Sequence, residues 1–211
     1  MNPDARAHIR GYYQRHATGY DRQVSSAERR FLGEHRAWAA GQVFGRVLEI
    51  GVGTGLNLPY YPAGTDLVGV DLSPSMVELA RLQAAAAAGR LSVDLRVGDA
   101  EALDLPDESV DAVVGTYALC TFPDPLAALV EVRRVLKVGG RLVLVEHGPS
   151  SNLLVRAGQR LLDPLALRFQ ADHLLRDPVP YVVDAGLDIV FTERGGRVGL
   201  VYRVVATKKA T

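Results

Sequence analysis

The stretch LEIGVGTG, residues 48–55, decides the fold of this chain. With Val47 its first residues form a short apolar run that is typical of a buried parallel strand, and glycines then follow at every second position. Glycine lets a backbone pass close beneath a ligand, so a strand that enters such a loop predicts a ligand-binding turn. A dinucleotide fingerprint, G-x-G-x-x-G, would place a third glycine at position 56, where the chain has Leu56. The spacing therefore argues against NAD.

The rest of the chain alternates between predicted strands and helices. We expect strands at residues 47–50, 67–70, 91–97, 110–117 and 141–146, and helices at residues 73–88 and 125–137, the latter stopped by Gly139 and Gly140. Further on, a Leu-rich helix at 152–169 and a helix from Pro178 precede strands at 187–193 and 198–207, joined by a hairpin turn at Gly195 and Gly196. The βαβα alternation predicts a parallel, doubly wound sheet. Two helices in residues 1–40 form a predicted lid over one globular unit, residues 41–211.

Three acidic residues fall at or just after predicted strand ends, where open α/β sheets bind ligands. Glu49 would repel a pyrophosphate but suits a cationic ligand. Asp71, twenty residues after Gly51, is placed to accept the hydroxyls of a ribose, although capping of the helix that begins next to Ser73 is an alternative. Asp99 is placed to accept from an adenine amine, or it is a solvated loop carboxylate.

Together with residues 48–55, the segments GVDLS (69–73), GDA (98–100), DESVD (107–111) and LKVGG (136–140) resemble the class I S-adenosylmethionine-dependent methyltransferases of the small-molecule, type 11 group. The resemblance implies a Rossmann-like sheet of seven strands, mostly parallel with the last antiparallel, and helices on both faces. It implies S-adenosylmethionine as the cofactor and S-adenosylhomocysteine as the product. The expected cofactor-binding residues are Glu49, Gly51, Gly53, Thr54, Gly55, Asn57, Asp71, Leu72, Met76, Asp99, Ala100 and Thr116.

Two further resemblances concern the methyl acceptor. YALCT (117–121), EHG (146–148) and LDP (162–164) are similar to the animal alkyl-thiol methyltransferases, whereas the glycine loop also resembles small bacterial phosphatidylethanolamine N-methyltransferases. We therefore predict S-methylation of a small thiol. The alternatives are N-methylation of phosphatidylethanolamine or another amine, methylation of a quinone or natural product, and, from another class, a non-catalytic module that only binds S-adenosylmethionine.

His147, just after a predicted central strand, is the candidate base for removing the acceptor's proton, with a histidine that only packs in the wall as the alternative. Tyr20 is the second catalytic candidate, on a helix that would close over the cofactor. Candidate substrate contacts are Tyr13, Tyr117, Cys120, Asp163 and His173. Plain packing remains the alternative for the tyrosines and for Cys120.

Composition narrows the class of protein. The chain has 211 residues with 24 basic and 24 acidic side chains, so no charge excess recruits nucleic acid. A single cysteine excludes an internal disulfide framework and a thiolate cluster for zinc, and we predict no metal. The single cysteine suits a reducing compartment, and we find no signal peptide and no membrane span, so we expect a cytoplasmic protein. We expect it to be a monomer or a homodimer. The Leu-rich helix at 152–169 carries interleaved arginines, which leaves weak peripheral contact with a membrane open.

Overall fold

The computed structural model describes residues 3–28, 30, 35–170 and 172–210 and shows a seven-stranded sheet. The strands are β1 (Arg46–Ile50), β2 (Asp66–Asp71), β3 (Ser92–Val97), β4 (Val110–Thr116), β5 (Leu136–His147), β6 (Asp188–Gly195) and β7 (Val201–Thr207), in the order β3-β2-β1-β4-β5-β7-β6. Strands β1 to β5 pair in parallel, and β7 lies antiparallel between β5 and β6. This confirms the predicted mostly parallel, seven-stranded sheet.

Six helices accompany the sheet in the described part of the chain: α1 (Pro3–Ala27), α2 (Arg36–Ala40), α3 (Pro74–Ala86), α4 (Pro125–Val135), α5 (Leu153–Gln170) and α6 (Pro178–Asp184). Because side chains alternate along a strand, β1 sends Leu48 and Ile50 to one face, where α4 and α6 pack, and Val47 to the other, where α2 packs. All three side chains are fully buried, and burial of each such side chain contributes about 1.5–3 kcal/mol. Helices therefore cover both faces, as predicted.

Two predicted boundaries are wrong. Helix α4 ends at Val135, and β5 begins at once, so Gly139 and Gly140 lie inside the strand instead of stopping the helix. The pairing of β5 with β4 jumps here from Val110↔Leu136 to the next registered pair, and the extra residues bulge out of the ladder. The predicted hairpin turn is also longer, because Gly195 still pairs with β7 and the chain reverses over residues 196–200.

The order of the strands reverses between β1 and β4, which are neighbours although the chain visits β2 and β3 between them. In open α/β sheets such a switch point leaves a crevice beyond the carboxyl ends of the strands. The loops after β1, β2, β3 and β4 all start at this edge, and they carry most of the predicted site residues.

Candidate functional site

A cleft of about 670 Å³, its mouth included, lies at the carboxyl edge of β1, β2 and β3. One side of it is formed by α1, through Ile9, Arg10, Tyr13 and Tyr20. Seven of the predicted cofactor-binding residues line the cleft: Gly51, Gly53, Asp71, Leu72, Met76, Asp99 and Ala100.

The glycine loop after β1 passes beneath the cleft in a conformation that suits glycine. Gly51 has φ +65°, and a Cβ built there would lie 2.6 Å from the Cβ of Ala118. Gly53 has φ +55° and also faces the cleft. Gly55, by contrast, packs against α3 and the following turn, where a Cβ would lie 2.7 Å from Leu58 Cδ1. Gly51 and Gly53 thus leave room for a ligand, whereas Gly55 is outside the cleft lining.

Asp71, at the end of β2, is held by the loops on either side of it. One carboxylate oxygen accepts from the amide N–H of Gly53 (2.9 Å) and the other from the amide N–H of Ser73 (2.8 Å). Burial raises the pKa of Asp71 in spite of these two bonds. Ser73 occupies the N-cap position of α3 without capping it, and its buried hydroxyl has no hydrogen-bond partner among the described residues. Both side chains line the cleft and offer hydrogen bonds to the hydroxyl groups of a ribose.

Asp99 is joined to α1 by an ion pair. Arg6 Nε lies 2.8 Å from Asp99 Oδ2, and Arg6 Nη2 lies 2.6 Å from Glu101 Oε2. The other carboxylate oxygen of Glu101 accepts from the amide N–H of Asp124 (2.7 Å), which fixes the acid in place. Arg6 therefore holds the start of α1 against the far end of the cleft, a role for which we found no signal in the sequence.

A buried polar network lies behind the cleft wall. Glu49 accepts hydrogen bonds from Asn57 Nδ2 and Tyr61 Oη, both at 2.8 Å, and Arg36 donates to Asn57 Oδ1 and to Thr116 Oγ1, both at 3.0 Å. Burial raises the pKa of Glu49 to about 7. These side chains fix the glycine loop from behind.

Thr54 has a similar supporting contact, because its hydroxyl donates to Asp21 Oδ1 of α1 at 2.5 Å. Five residues of the predicted cofactor set thus lie outside the lining of the cleft: Glu49, Thr54, Gly55, Asn57 and Thr116. Their direct contact with a cofactor stays a prediction.

A second cavity, of about 720 Å³ with its mouth, adjoins the first. The two share Tyr13, Tyr20, Tyr117 and Thr121 as common walls. Five of the predicted catalytic and substrate residues line the second cavity: His147, Tyr20, Tyr13, Tyr117 and Cys120. The sequence prediction thus converges on one place next to the cleft.

His147 and Asp172 form an ion pair in this cavity, with 3.1 Å between Nε2 and Oδ1. Burial by itself lowers the pKa of His147, but the Asp172 carboxylate outweighs it, so the pKa of His147 is raised above its usual value. Burial likewise raises the pKa of Asp172, and the charge of His147 reverses that effect and lowers it. The pair is therefore a histidine oriented by a carboxylate, the arrangement of a general base. Asp172 was not among the predicted site residues.

Cys120 completes a small group with this pair, since one ligand atom from each of the three residues lies within 4.8 Å of the others. Thiolate, imidazole and carboxylate are zinc ligands. Burial, however, raises the pKa of the Cys120 thiol well above its usual value and so keeps it protonated. A protonated thiol is a poor metal ligand, and the absence of a metal remains our prediction.

Asp163 and His173 lie outside the cavity lining and serve the loop that carries Asp172. The carboxylate of Asp163 accepts from the amide N–H of Leu174 (2.7 Å), and the amide N–H of His173 donates to the carbonyl of Cys120 (3.1 Å). Burial lowers the pKa of His173. Both residues position the wall of the cavity, and their direct contact with a substrate stays a prediction.

Comparison with known proteins agrees with this geometry. Residues 48–144 match the family described as a methyltransferase domain. The chain is 41% identical over 103 residues to a phosphatidylethanolamine N-methyltransferase of Cereibacter sphaeroides, covering 49% of this chain and 51% of that protein. It is 39% identical over 140 residues to a demethylmenaquinone methyltransferase of Deinococcus radiodurans, covering 62% of this chain and 57% of that protein. The chain thus spans between half and three-fifths of the length of these two relatives.

A solved SAM-dependent methyltransferase from Thermotoga maritima has the same fold, with a TM-score of 0.72 and 24% sequence identity over 95% of this chain and 100% of that one. None of the helices in the described part of the chain is long and apolar enough to span a membrane.

Proposed function

We propose a function from one premise: the chain carries a class I S-adenosylmethionine-dependent methyltransferase domain. The proposed reaction is transfer of a methyl group from this cofactor to the sulfur of a small, apolar thiol. The observation that carries the proposal is the His147–Asp172 pair in a tyrosine-lined cavity that shares a wall with the cofactor cleft.

The cleft offers what the cofactor needs. The backbone at Gly51 and Gly53 would pass beneath its methionine part. Asp71 would accept hydrogen bonds from its ribose hydroxyls, and Asp99 would accept one from its adenine amine. The hydroxyl of Ser73 in the same cleft, which has no partner within the described part of the chain, supports this assignment, because a buried polar group without a partner is costly unless a ligand satisfies it. When bound, S-adenosylmethionine supplies an electrophilic methyl group on a positively charged sulfur, and the acidic side chains of the cleft suit that charge.

His147 would take the proton of the acceptor. When its Nε2–H faces Asp172, Nδ1 carries the lone pair, and no other group among the described residues bonds the ring. The thiol proton moves to Nδ1, and Asp172 stabilises the imidazolium that results. Three tyrosines would orient the sulfur and exclude water: Tyr13, Tyr20 and Tyr117. Orientation and exclusion of water supply much of the rate of an in-line methyl displacement.

The charges of the cavity favour a neutral acceptor over an ammonium ion. An alkyl amine is a cation at neutral pH, so its binding in the cavity would need an ion pair with a free carboxylate. Asp172 is the only carboxylate in the described lining of the second cavity, and it is already paired with His147. A thiol enters such a cavity without charge and loses its proton there.

A second candidate is methylation of a ring carbon of a reduced quinone. It is favoured by the 39% identity to the demethylmenaquinone methyltransferase of Deinococcus radiodurans. The tyrosine walls of the second cavity would also accept a flat aromatic ring. The same base would serve this reaction, since a quinol carries an acidic O–H.

The test is release of S-adenosylhomocysteine with a panel of acceptors: small thiols, amines, reduced quinones and phosphatidylethanolamine. We expect turnover with thiols, abolished by Asp71→Ala through loss of cofactor binding. His147→Gln should lower kcat by roughly 10²–10⁴-fold without changing the Kd for S-adenosylmethionine. His8→Gln is the matched control, because His8 is exposed on α1 and outside both cavities.

Three other results of these assays would change the proposal. Turnover only with an amine or a reduced quinone would replace the thiol as acceptor. Cofactor binding without turnover across the whole panel would favour the non-catalytic binding module. Full activity of His147→Gln would remove this residue as the base.

A further inference from the structure

The outer face of α5 is an apolar stripe that the rest of the described structure leaves uncovered. Four large side chains at helical spacing make it up and are 85%, 78%, 53% and 63% exposed: Leu154, Leu161, Leu165 and Phe169. Leu162, beside them, is 53% exposed. A helix of a monomeric domain normally turns such a face inward, so this stripe marks an interaction surface.

The opposite face of α5 is fixed to the protein by polar contacts. Gln159 Nε2 donates to the carbonyls of Gly148 (2.9 Å) and Leu174 (3.0 Å), and Asp163 accepts from the amide N–H of Leu174 (2.7 Å). Ala166 is the buried apolar residue of this face. These contacts set the rotation of the helix, and that rotation keeps the leucine stripe directed outward.

Arg160 and Arg168 lie along one edge of the stripe, and both are exposed. Neither has a carboxylate partner in the part of the chain that the structure describes, and the one acid of the helix, Asp163, is engaged on the inner face. The whole chain has no net charge, so this basic edge is a local feature. The guanidinium of Arg168 lies over the ring of Phe169, 5.8 Å from its centroid. Large apolar side chains beside arginines without a carboxylate partner among the described residues match the boundary between acyl chains and anionic headgroups.

We propose that the outer face of α5 docks on an anionic lipid membrane. The apolar side chains enter the acyl boundary, and Arg160 and Arg168 contact the phosphate and carboxylate groups of the lipids. A second copy of the chain is a poorer occupant, because pairing two such stripes would bring the arginines of both helices near one another with no acid on that face to pair them.

Docking at α5 also bears on the substrate. Gln170, the last residue of α5, lines the second cavity, and the helix anchors the loop that carries Asp172. The mouth of the cavity therefore lies beside the proposed membrane contact, which favours an acceptor dissolved in the lipid. This second step rests on the proposed function, whereas the docking itself does not.

The test is flotation of the full chain with vesicles of phosphatidylcholine alone and of an equimolar mixture with phosphatidylserine. We expect binding to the mixed vesicles that weakens with salt. Leu154→Glu/Leu161→Glu should lower the partition coefficient by roughly 100-fold, since each buried leucine contributes about tenfold or more. Arg160→Gln/Arg168→Gln should remove the preference for phosphatidylserine. Leu82→Glu is the matched control, as Leu82 is 65% exposed on α3, and it should bind as the wild type does.

Two readouts separate this proposal from the proposed function. Leu154→Glu/Leu161→Glu should keep the far-UV circular dichroism of the wild type and its turnover of a water-soluble thiol, so loss of flotation is not loss of folding or chemistry. Absence of binding to either kind of vesicle would overturn the docking. Unchanged vesicle binding by Leu154→Glu/Leu161→Glu would also overturn it. The same holds if the wild type is a dimer that does not float and that these two substitutions dissociate.

Discussion

Replacing Glu146 by glutamine should change how the stability of the protein depends on pH. Glu146 is buried at the end of β5, where one carboxylate oxygen accepts from the amide N–H groups of Ala118 and Leu119, both at 3.0 Å. Its other oxygen has no partner among the described residues. Burial raises the pKa of Glu146 to about 7, against an ordinary value of 4.5. Glutamine keeps the oxygen that holds the two amides and removes the charge.

The sign follows from proton binding. Between about pH 4.5 and 7 the folded protein holds the proton of Glu146 while the unfolded chain has released it, so stability falls as pH rises through this window. At about 1.4 kcal/mol for each pKa unit, the fall between about pH 5 and pH 8.5 is roughly 2–3 kcal/mol. Glu146→Gln lacks this contribution.

Urea unfolding at several pH values between these limits measures the effect. The free energy of unfolding of the wild type, minus that of Glu146→Gln, should fall by about 2–3 kcal/mol from acid to alkaline pH. Glu78→Gln is the matched control for loss of one carboxylate at the surface, because the Glu78 side chain is 67% exposed on α3. A flat curve for Glu146→Gln would show that the carboxylate ionises at its ordinary pKa, and the argument from burial would be wrong.

Two more variants test the site. Gly51→Ala should lower the affinity for S-adenosylmethionine by roughly tenfold or more and the free energy of unfolding by about 1–2 kcal/mol. The reason is that φ at Gly51 is +65° and the new Cβ would overlap that of Ala118. Wild-type affinity of the variant in calorimetry would contradict this. Asp172→Asn should shift the acidic limb of the pH–rate profile to lower pH and reduce kcat, because it removes the carboxylate that raises the pKa of His147. If the acidic limb stays at the wild-type pH, Asp172 is not the residue that orients His147.

Strand periodicity and glycine spacing predicted the sheet well. The short apolar runs before Gly51 and Asp71 are β1 and β2, and their carboxyl ends meet at one edge because parallel strands all end there. The misplaced boundary at Gly139 has a tertiary cause. A glycine pair after an amphipathic helix is typical of a helix stop. Here Leu136 pairs with β4, and the backbone of Gly139 and Gly140 bonds that of Lys208 just after β7, so tertiary contacts draw residues 136–140 into the sheet as a bulge.

The side chains of the site were harder to assign, because local sequence does not show which way a strand-end carboxylate points. Glu49 and Asp71 look alike in sequence, but Glu49 turns back into a hydrogen-bonded network, whereas Asp71 faces the cleft. Arg6 and Asp172 belong to segments far from the motifs and reach the site only through the packing of α1 and of the loop after α5. No local pattern carries that information.

Glu49 and Glu146 end two central strands, and each ties down a loop that borders a cavity. Both have a pKa raised to about 7 by burial, so both make the folded state less stable as pH rises toward neutrality. The proposed base has the opposite requirement, since His147 becomes competent only as it loses its proton above its raised pKa. Activity that increases with pH therefore meets stability that decreases with pH, and the working range should be narrow and close to neutral. Glu146→Gln removes one of the two carboxylates that destabilise the folded state as pH rises, so it should extend activity on the alkaline side. Because the Glu146 carboxylate also raises the pKa of His147, this variant should move the acidic limb to lower pH as well.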